Sequence, residues 1–162
     1  MKRSRKKYER PLKIWDKEKI LEDREIMKSF GLKKKMEIWR TEGFLRKFRR
    51  MARELEAKKD KEKEKVLLRK LINLGVLNEG ATLDDVLGLS LKNFLDRRLE
   101  TIIFSKSLAN SAKQSRQFIT HGHVSIGGKK ITYPSYLVLK NEENNINVKI
   151  VPSKPKVSAS ER

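Results

Sequence analysis

The sequence predicts an α+β protein: a mostly helical, basic front followed by a small unit of two helices packed on a short curved antiparallel sheet. Three observations carry this. Apolar residues recur at helical spacing from Ile20 to Ile103. The spacing switches to strict alternation at Val124 and Ile126. Between them, the stretch SAKQSRQFITHGHVSIGG at 111–128 reads as a helix running straight into a hairpin. Ser111 followed by Gln114 is a capping box, and Gly122 is a residue that ends a helix cheaply. Gly127-Gly128 suits a two-residue turn, which needs positive φ.

Taken in order, residues 1–13 form a basic arm with little to bury, expected to be disordered alone. The spacing of Ile20, Met27 and Phe30 predicts a helix over 16–30, ended by Gly31. A second helix is predicted over about 34–59, with Leu45, Phe48, Ala52 and Leu55 on one apolar face and Arg46, Arg49, Arg50 and Arg53 on the other side. The mixed-sign run KKDKEKEK at 58–65 reads as a solvated turn or helix. A third helix runs to about Leu74, with Leu67, Leu68, Leu71 and Ile72 inward and Gly75 as its stop. Residues 76–90 read as a connector with a weak cap at Thr82. One helix is expected from Ser90, with Leu91, Leu95, Leu99, Ile102 and Ile103 as its stripe and Arg97, Arg98 and Lys106 off it. After the turn, strands are expected at 129–132, 136–140 and 145–151. The Pro/Ser/Lys-rich tail at 152–162 reads as unstructured. The divisions are thus an arm at 1–13, a helical region at 14–90, the α+β unit at 91–151 and the tail.

Charge narrows the function. The 162 residues hold 40 Lys and Arg against 21 Asp and Glu, a formal net charge of +19. Such an excess repels itself in a compact fold and calls for a polyanionic partner. Residues 1–65 carry 25 of the cations and 13 of the acids, so the front is the more basic part. Nucleic acid and an anionic membrane surface are the two candidates. No apolar run approaches the roughly 20 residues of a membrane span. MKRSRKKYER lacks the apolar core of a secretory signal.

Catalytic chemistry finds little footing. With no cysteine, disulfides, Cys-type zinc sites and thiol nucleophiles are excluded. His121 and His123 form an H-x-H pair, but no acidic residue lies close in sequence to complete a metal site. The run from Gly122 to Lys129 superficially suggests a phosphate-binding loop. Its lysine is one position late, no Ser or Thr follows, and the segment reads strand–turn–strand. No Ser sits in a G-x-S-x-G turn. Asp84-Asp85 and Glu142-Glu143 are adjacent in connectors, where solvation explains them. Neither an enzyme nor a cofactor nor a small-molecule substrate is expected.

Nucleic acid is better supported. Lys113, Arg116, Gln117 and Thr120 form one stripe with no acid in it, a mixture suited to phosphate contacts. The helix N-terminus at Ser111 to Lys113 adds free N–H donors. Arg46, Lys47, Arg49, Arg50 and Arg53, the arm residues Arg3, Arg5, Lys6 and Lys7, and Lys129-Lys130 have the same sign. Aromatic residues are few near the stripe, so recognition of structured RNA by shape and phosphate geometry is favoured over base stacking. Trp15 and Trp39 read as packing or docking anchors.

RRLETIIF at 97–104, SAKQSRQFITHGHVSIGGKKI at 111–131 and PSYLV at 134–138 resemble the S-four (alpha-L type) RNA-binding domain. KKYERPLKIWDKEKILED, EGFLRKFRRMAREL, LLRKLINLGVL and LDDVLGLSLKNFLDRRL resemble the archaeal and eukaryotic branch of the ribosomal S-four family. The resemblance spans nearly the whole chain. It implies a structural constituent of the small ribosomal subunit in the cytoplasm. By this likeness the protein binds a multi-helix junction in the 5′ domain of small-subunit ribosomal RNA and nucleates assembly of the subunit body. It then lies near the mRNA entry site beside neighbouring ribosomal proteins, S-five above all. The alternative is a small-subunit processome factor with the same module. An RNA-modifying enzyme would need a catalytic domain for which no room remains, and a binder of stalled ribosomes usually lacks the long front.

Carried to matching positions, the family's RNA face implies Arg97, Arg98, Lys106, Ser111, Lys113, Gln114, Arg116, Gln117 and His121. Where the family often has Arg, this chain has Ala112, and Gly127-Gly128 replaces a common Asn-Gly turn.

Overall fold

Helix α1 (Lys17–Ser29) turns back at Gly31 into α2 (Lys35–Lys58), the longest element of the computed structural model, which describes residues 8–149. The arm residues Arg3, Arg5, Lys6 and Lys7, the end of the strand expected at 145–151, and the tail lie outside those residues. On α2, Ile38, Thr41, Leu45, Phe48 and Ala52 are buried, the three-and-four spacing of one helix face. Lys59, in the left-handed conformation, ends α2, and α3 (Lys61–Asn73) packs back through Leu67 and Leu71. The run KKDKEKEK is therefore a turn between two helices with a solvated first turn.

Residues 76–90 are not a plain connector. They contain α4 (Leu83–Gly88), whose Val86 is fully buried in the front core. The Asp85 carboxylate accepts from the Thr82 N–H at 2.8 Å and secures its start. The single helix expected from Ser90 is two: α5 (Leu91–Asp96) and α6 (Leu99–Ser105). The break at Arg97-Arg98 has a tertiary cause. The Leu99 N–H donates to Tyr136 C=O at 2.8 Å, and the Val138 N–H donates to Arg97 C=O at 3.0 Å. Backbone that pairs sideways with residues 136–138 cannot also continue a helical ladder.

Two cores result, with a smaller cluster between them. Phe94 of α5 stacks on Phe48 of α2, ring centroids 5.6 Å apart, in the front core. Leu95 packs with Leu32 and Ile38 in the joining cluster. The second core begins at Leu99 and gathers Ile102, Ile103, Phe118, Ile119, Val124, Ile126, Val138 and Ile146. Its second helix is α7 (Ala112–Thr120), capped by Ser111 Oγ, which accepts from the Gln114 N–H at 3.2 Å. Gln114 Oε1 in turn accepts from the Asn110 N–H at 2.7 Å, one residue earlier than a capping box places it.

The chain then enters β1 (Val124–Ile126), turns at Gly127-Gly128 with φ of +53° and +81°, and returns as β2 (Lys129–Lys130). Ile126 faces Lys129 across this two-residue turn. The return strand is shorter than expected, and 136–140 forms an isolated bridge between Arg98 and Leu137 rather than a strand. After a 3-10 turn at Lys140–Asn145, β3 (Ile146–Val148) pairs antiparallel with the other edge of β1, giving the order β2-β1-β3. No helix of the described residues is long and apolar enough to cross a membrane.

Candidate nucleic-acid interface

The two halves are joined by a buried ionic cluster. Glu37 comes from the first turn of α2, Arg98 from the α5–α6 break, Glu100 from α6 and Arg116 from α7. Arg98 Nη2 lies 2.5 Å from Glu37 Oε2, and Arg116 Nη2 lies 2.8 Å from Glu37 Oε1. Both guanidiniums also approach Glu100 Oε2, at 3.6 and 3.4 Å. Glu100 is fully buried, and burial pushes its carboxyl up to about 7 despite the two arginines. Burial pushes Glu37 up as well, but hydrogen bonds from Arg116 and Arg98 outweigh it and hold Glu37 below the usual range. Arg98 is therefore not off the stripe on the surface; it is 3% exposed and serves as counter-ion to two acids.

Two further cations of the expected site, Arg97 and Lys106, are held by the protein itself. Arg97 donates to Glu143 at 3.0 Å and to Val138 C=O at 3.2 Å. Its guanidinium also lies so close over Gly75 that a Cβ there would meet Cζ at 2.8 Å. Lys106 donates to Glu143 C=O. Lys130 folds over Gly122 just past the C-terminal end of α7, where a cation suits the helix dipole.

Other predicted positions stand on the surface. Lys113, Gln117, Thr120, His121 and Lys129 are exposed, as is the cap Ser111, with Gln114 half-buried. The Thr120 hydroxyl donates back to Arg116 C=O at 3.0 Å, which leaves its lone pairs outward. His121 and His123 stack at 6.2 Å between ring centroids. Ala112 packs against the α1–α2 turn: a Cβ on Gly31 would lie 2.7 Å from the Ala112 Cβ. A small residue there lets the start of α7 sit on the front.

The exposed face of α2 forms the second surface. Arg46, Lys47, Arg50 and Arg53 are exposed, while Arg49 is half-buried and donates to Leu89 C=O at 2.6 Å. Arg46 meets Glu9 at 3.1 Å, and Arg50 meets Glu54 at 3.6 Å. Lys47 and Arg53 have no ion-pair partner among the described residues. These side chains line a groove of about 640 Å³ that runs along α2 past Gly43 to Arg40 and Phe44. There it meets a second groove, of about 720 Å³, between α2 and the segment Pro134–Leu137, with Arg98 and Arg116 on its wall. From Arg40 to Arg53 the track is about 20 Å long at the helical rise. The grooves also take in Lys34, Arg40 and Phe44, which sequence reasoning did not single out. The signal was present: Met36, Arg40, Phe44 and Lys47 recur at helical spacing beside the buried stripe. Trp39 packs near Tyr8, ring centroids 5.9 Å apart, whereas Trp15 is largely exposed.

Residues 97–144 match the S4 domain family. Nearly the whole chain is similar to relatives named "Small ribosomal subunit protein uS4". That of Ignicoccus hospitalis is 43% identical over 145 residues, covering 88% of this chain and 87% of the relative. That of Nanoarchaeum equitans is 46% identical over 159 residues, covering 94% and 87%. That of Methanococcus aeolicus is 48% identical over 159 residues, covering 96% and 89%.

Proposed function

This chain belongs to the uS4 family of small ribosomal subunit proteins, and on that premise we propose that it clamps a multi-helix junction in the 5′ domain of small-subunit ribosomal RNA. The coarser role follows from membership: a structural, RNA-binding component of the small subunit in the cytoplasmic ribosome, not an enzyme. The observation that carries the finer reading is the pair of basic surfaces on either side of one buried ionic joint. The track Arg40, Arg46, Lys47, Arg50 and Arg53 runs along α2, and the face of Ser111, Lys113, Gln117, Thr120, His121 and Lys129 lies on the module. The Glu37–Arg98–Arg116–Glu100 cluster ties them together. Two phosphate-binding faces with a fixed relation select an RNA shape rather than a base sequence. Lys113 supplies the cation at the start of α7 that Ala112 does not. Arg97, Arg98, Lys106, Gln114 and Arg116 act as positioning residues in this reading, because protein groups already hold them.

We further propose that binding nucleates the subunit body and leaves the protein near the mRNA entry site beside the S-five protein. The processome alternative has less support, since the relatives that cover nearly the full chain are named ribosomal proteins. The test compares binding to a 5′-domain RNA fragment and to an unrelated junction of equal length across a salt series. A preference for the first that survives high salt is expected. Equal affinities that collapse together with salt would reduce the protein to a generic polyanion binder.

A further inference from the structure

The groove between α2 and Pro134–Leu137 has a composition that phosphate clamping does not require. Phe44 stands 51% exposed on its rim, and Met36 and Tyr136 supply further apolar wall. Phe44 serves no core, since the buried stripe of α2 runs through Leu45 and Phe48, and with Met36 and Tyr136 it lines one apolar patch rimmed by cations, the kind of patch that marks a binding site. The same groove carries Arg98 and Arg116, whose charges Glu37 and Glu100 take up, together with Lys34 and Arg40, which have no ion-pair partner among the described residues. Arg98 is nine-tenths buried, and its Nε has no hydrogen-bond partner among the described residues. The occupant is therefore flat and apolar on one side and anionic on the other, and a volume of about 720 Å³ is ample for one nucleotide.

We propose that this groove receives a single unpaired nucleotide of the bound RNA, its base stacked on Phe44 and its phosphate held by Lys34 and Arg40. The proposal rests on the RNA-clamp reading and adds to it a point of base contact. Unpaired bases in structured RNA are commonly captured on aromatic side chains, and stacking tolerates any base. The phosphate track along α2 leads directly to it, because Arg40 and Phe44 line both grooves. This places one nucleotide against the joint between front and module.

The experiment uses the full chain and a transcript of the 5′ domain of an archaeal small-subunit ribosomal RNA, with 2′-hydroxyl acylation and dimethyl sulfate probing of the complex. The wild-type protein is expected to protect one unpaired nucleotide. Phe44→Ala should bind about tenfold more weakly, release that nucleotide alone, and keep the salt slope unchanged. Phe44→Tyr should restore both affinity and protection. Thermal melting of the free variants confirms that they fold. A Phe44→Ala protein with wild-type affinity and footprint would overturn the proposal. So would a variant that binds RNA normally but loses a neighbouring small-subunit protein, which would make the groove a protein-docking site. A wild-type protein that does not prefer the 5′ domain would remove the clamp reading first, and the stacking site with it.

Discussion

Arg116 lies on the stripe that the sequence assigns to RNA, yet its guanidinium sits between Glu37 at 2.8 Å and Glu100 at 3.4 Å. Arg116→Ala should therefore act first on stability. Removing one partner of a buried ion pair costs roughly 3–5 kcal/mol, because the other charge is left in a poor solvent. Arg116 keeps 23% of its side chain in water and Arg98 remains to share the acids, so the lower end applies, about 3 kcal/mol. For a chain of this size that is a fall in Tm of roughly 6–12 °C. The loss should also depend on pH. Glu100 holds its proton in the folded state up to about 7, well above its ordinary value of 4.5. Arg116 helps to hold that carboxyl down, so in the variant ionising Glu100 on the way to pH 8 is costlier than in wild type. At pH 5.5 Glu100 is neutral in both proteins and needs no cation, so the loss should be smaller there. Urea unfolding followed by circular dichroism at both pH values measures this. A loss below about 1 kcal/mol at pH 8, or an equal loss at both pH values, would refute the assignment of Arg116 as counter-ion. Lys113→Ala, by contrast, should leave stability unchanged and weaken RNA binding.

Glu100→Gln removes a carboxyl whose folded pKa is raised, so its ionisation costs stability as pH climbs from 4.5 to about 7; denaturation series at pH 5 and 7.5 should show a smaller decline for the variant than for wild type. Arg50→Ala should lower the log–log salt dependence of RNA binding by about 0.9, if duplex RNA follows the DNA rule, with no change in melting. Gly43 lies inside α2 with open space where a Cβ would go, so Gly43→Ala should stabilise by about 0.5–1 kcal/mol in a thermal melt. Gly31→Ala should cost more than Gly122→Ala, although both have positive φ. The neighbour at Gly31 is the helical Ala112, which cannot yield, while at Gly122 it is the mobile end of Lys130; paired melting curves test the order.

What was legible in the sequence was local. Ser111 with Gln114, and Gly31, Gly75 and Gly122, mark helix ends because caps and left-handed stops act over a few residues. The hairpin was legible for the same reason. The division of the 90–106 helix was not, since no Gly or Pro sits at Arg97-Arg98 and the cause is pairing with residues about 40 positions away. The burial of Arg98 had a faint sign in Glu100, an acid beside Leu99 and Ile102 that must find a cation once the stripe is buried. Helix α4 was hidden because six residues give too short a period to detect. The groove at Phe44 needed two surfaces from opposite halves of the chain, which no local pattern reports.

The ionic cluster also sets a timetable. Glu37 waits 61 residues for Arg98 and 79 for Arg116. At ordinary synthesis rates the second interval is roughly 4–16 s. During it the newborn front carries α2 with Glu37 uncompensated and Ile38 without Leu95 to cover it. The basic arm and the α2 face are thus made early, while the joint that ties α2 to the module closes late. A nascent chain halted before residue 116 holds the cations for gripping RNA but not the angle between its two hands.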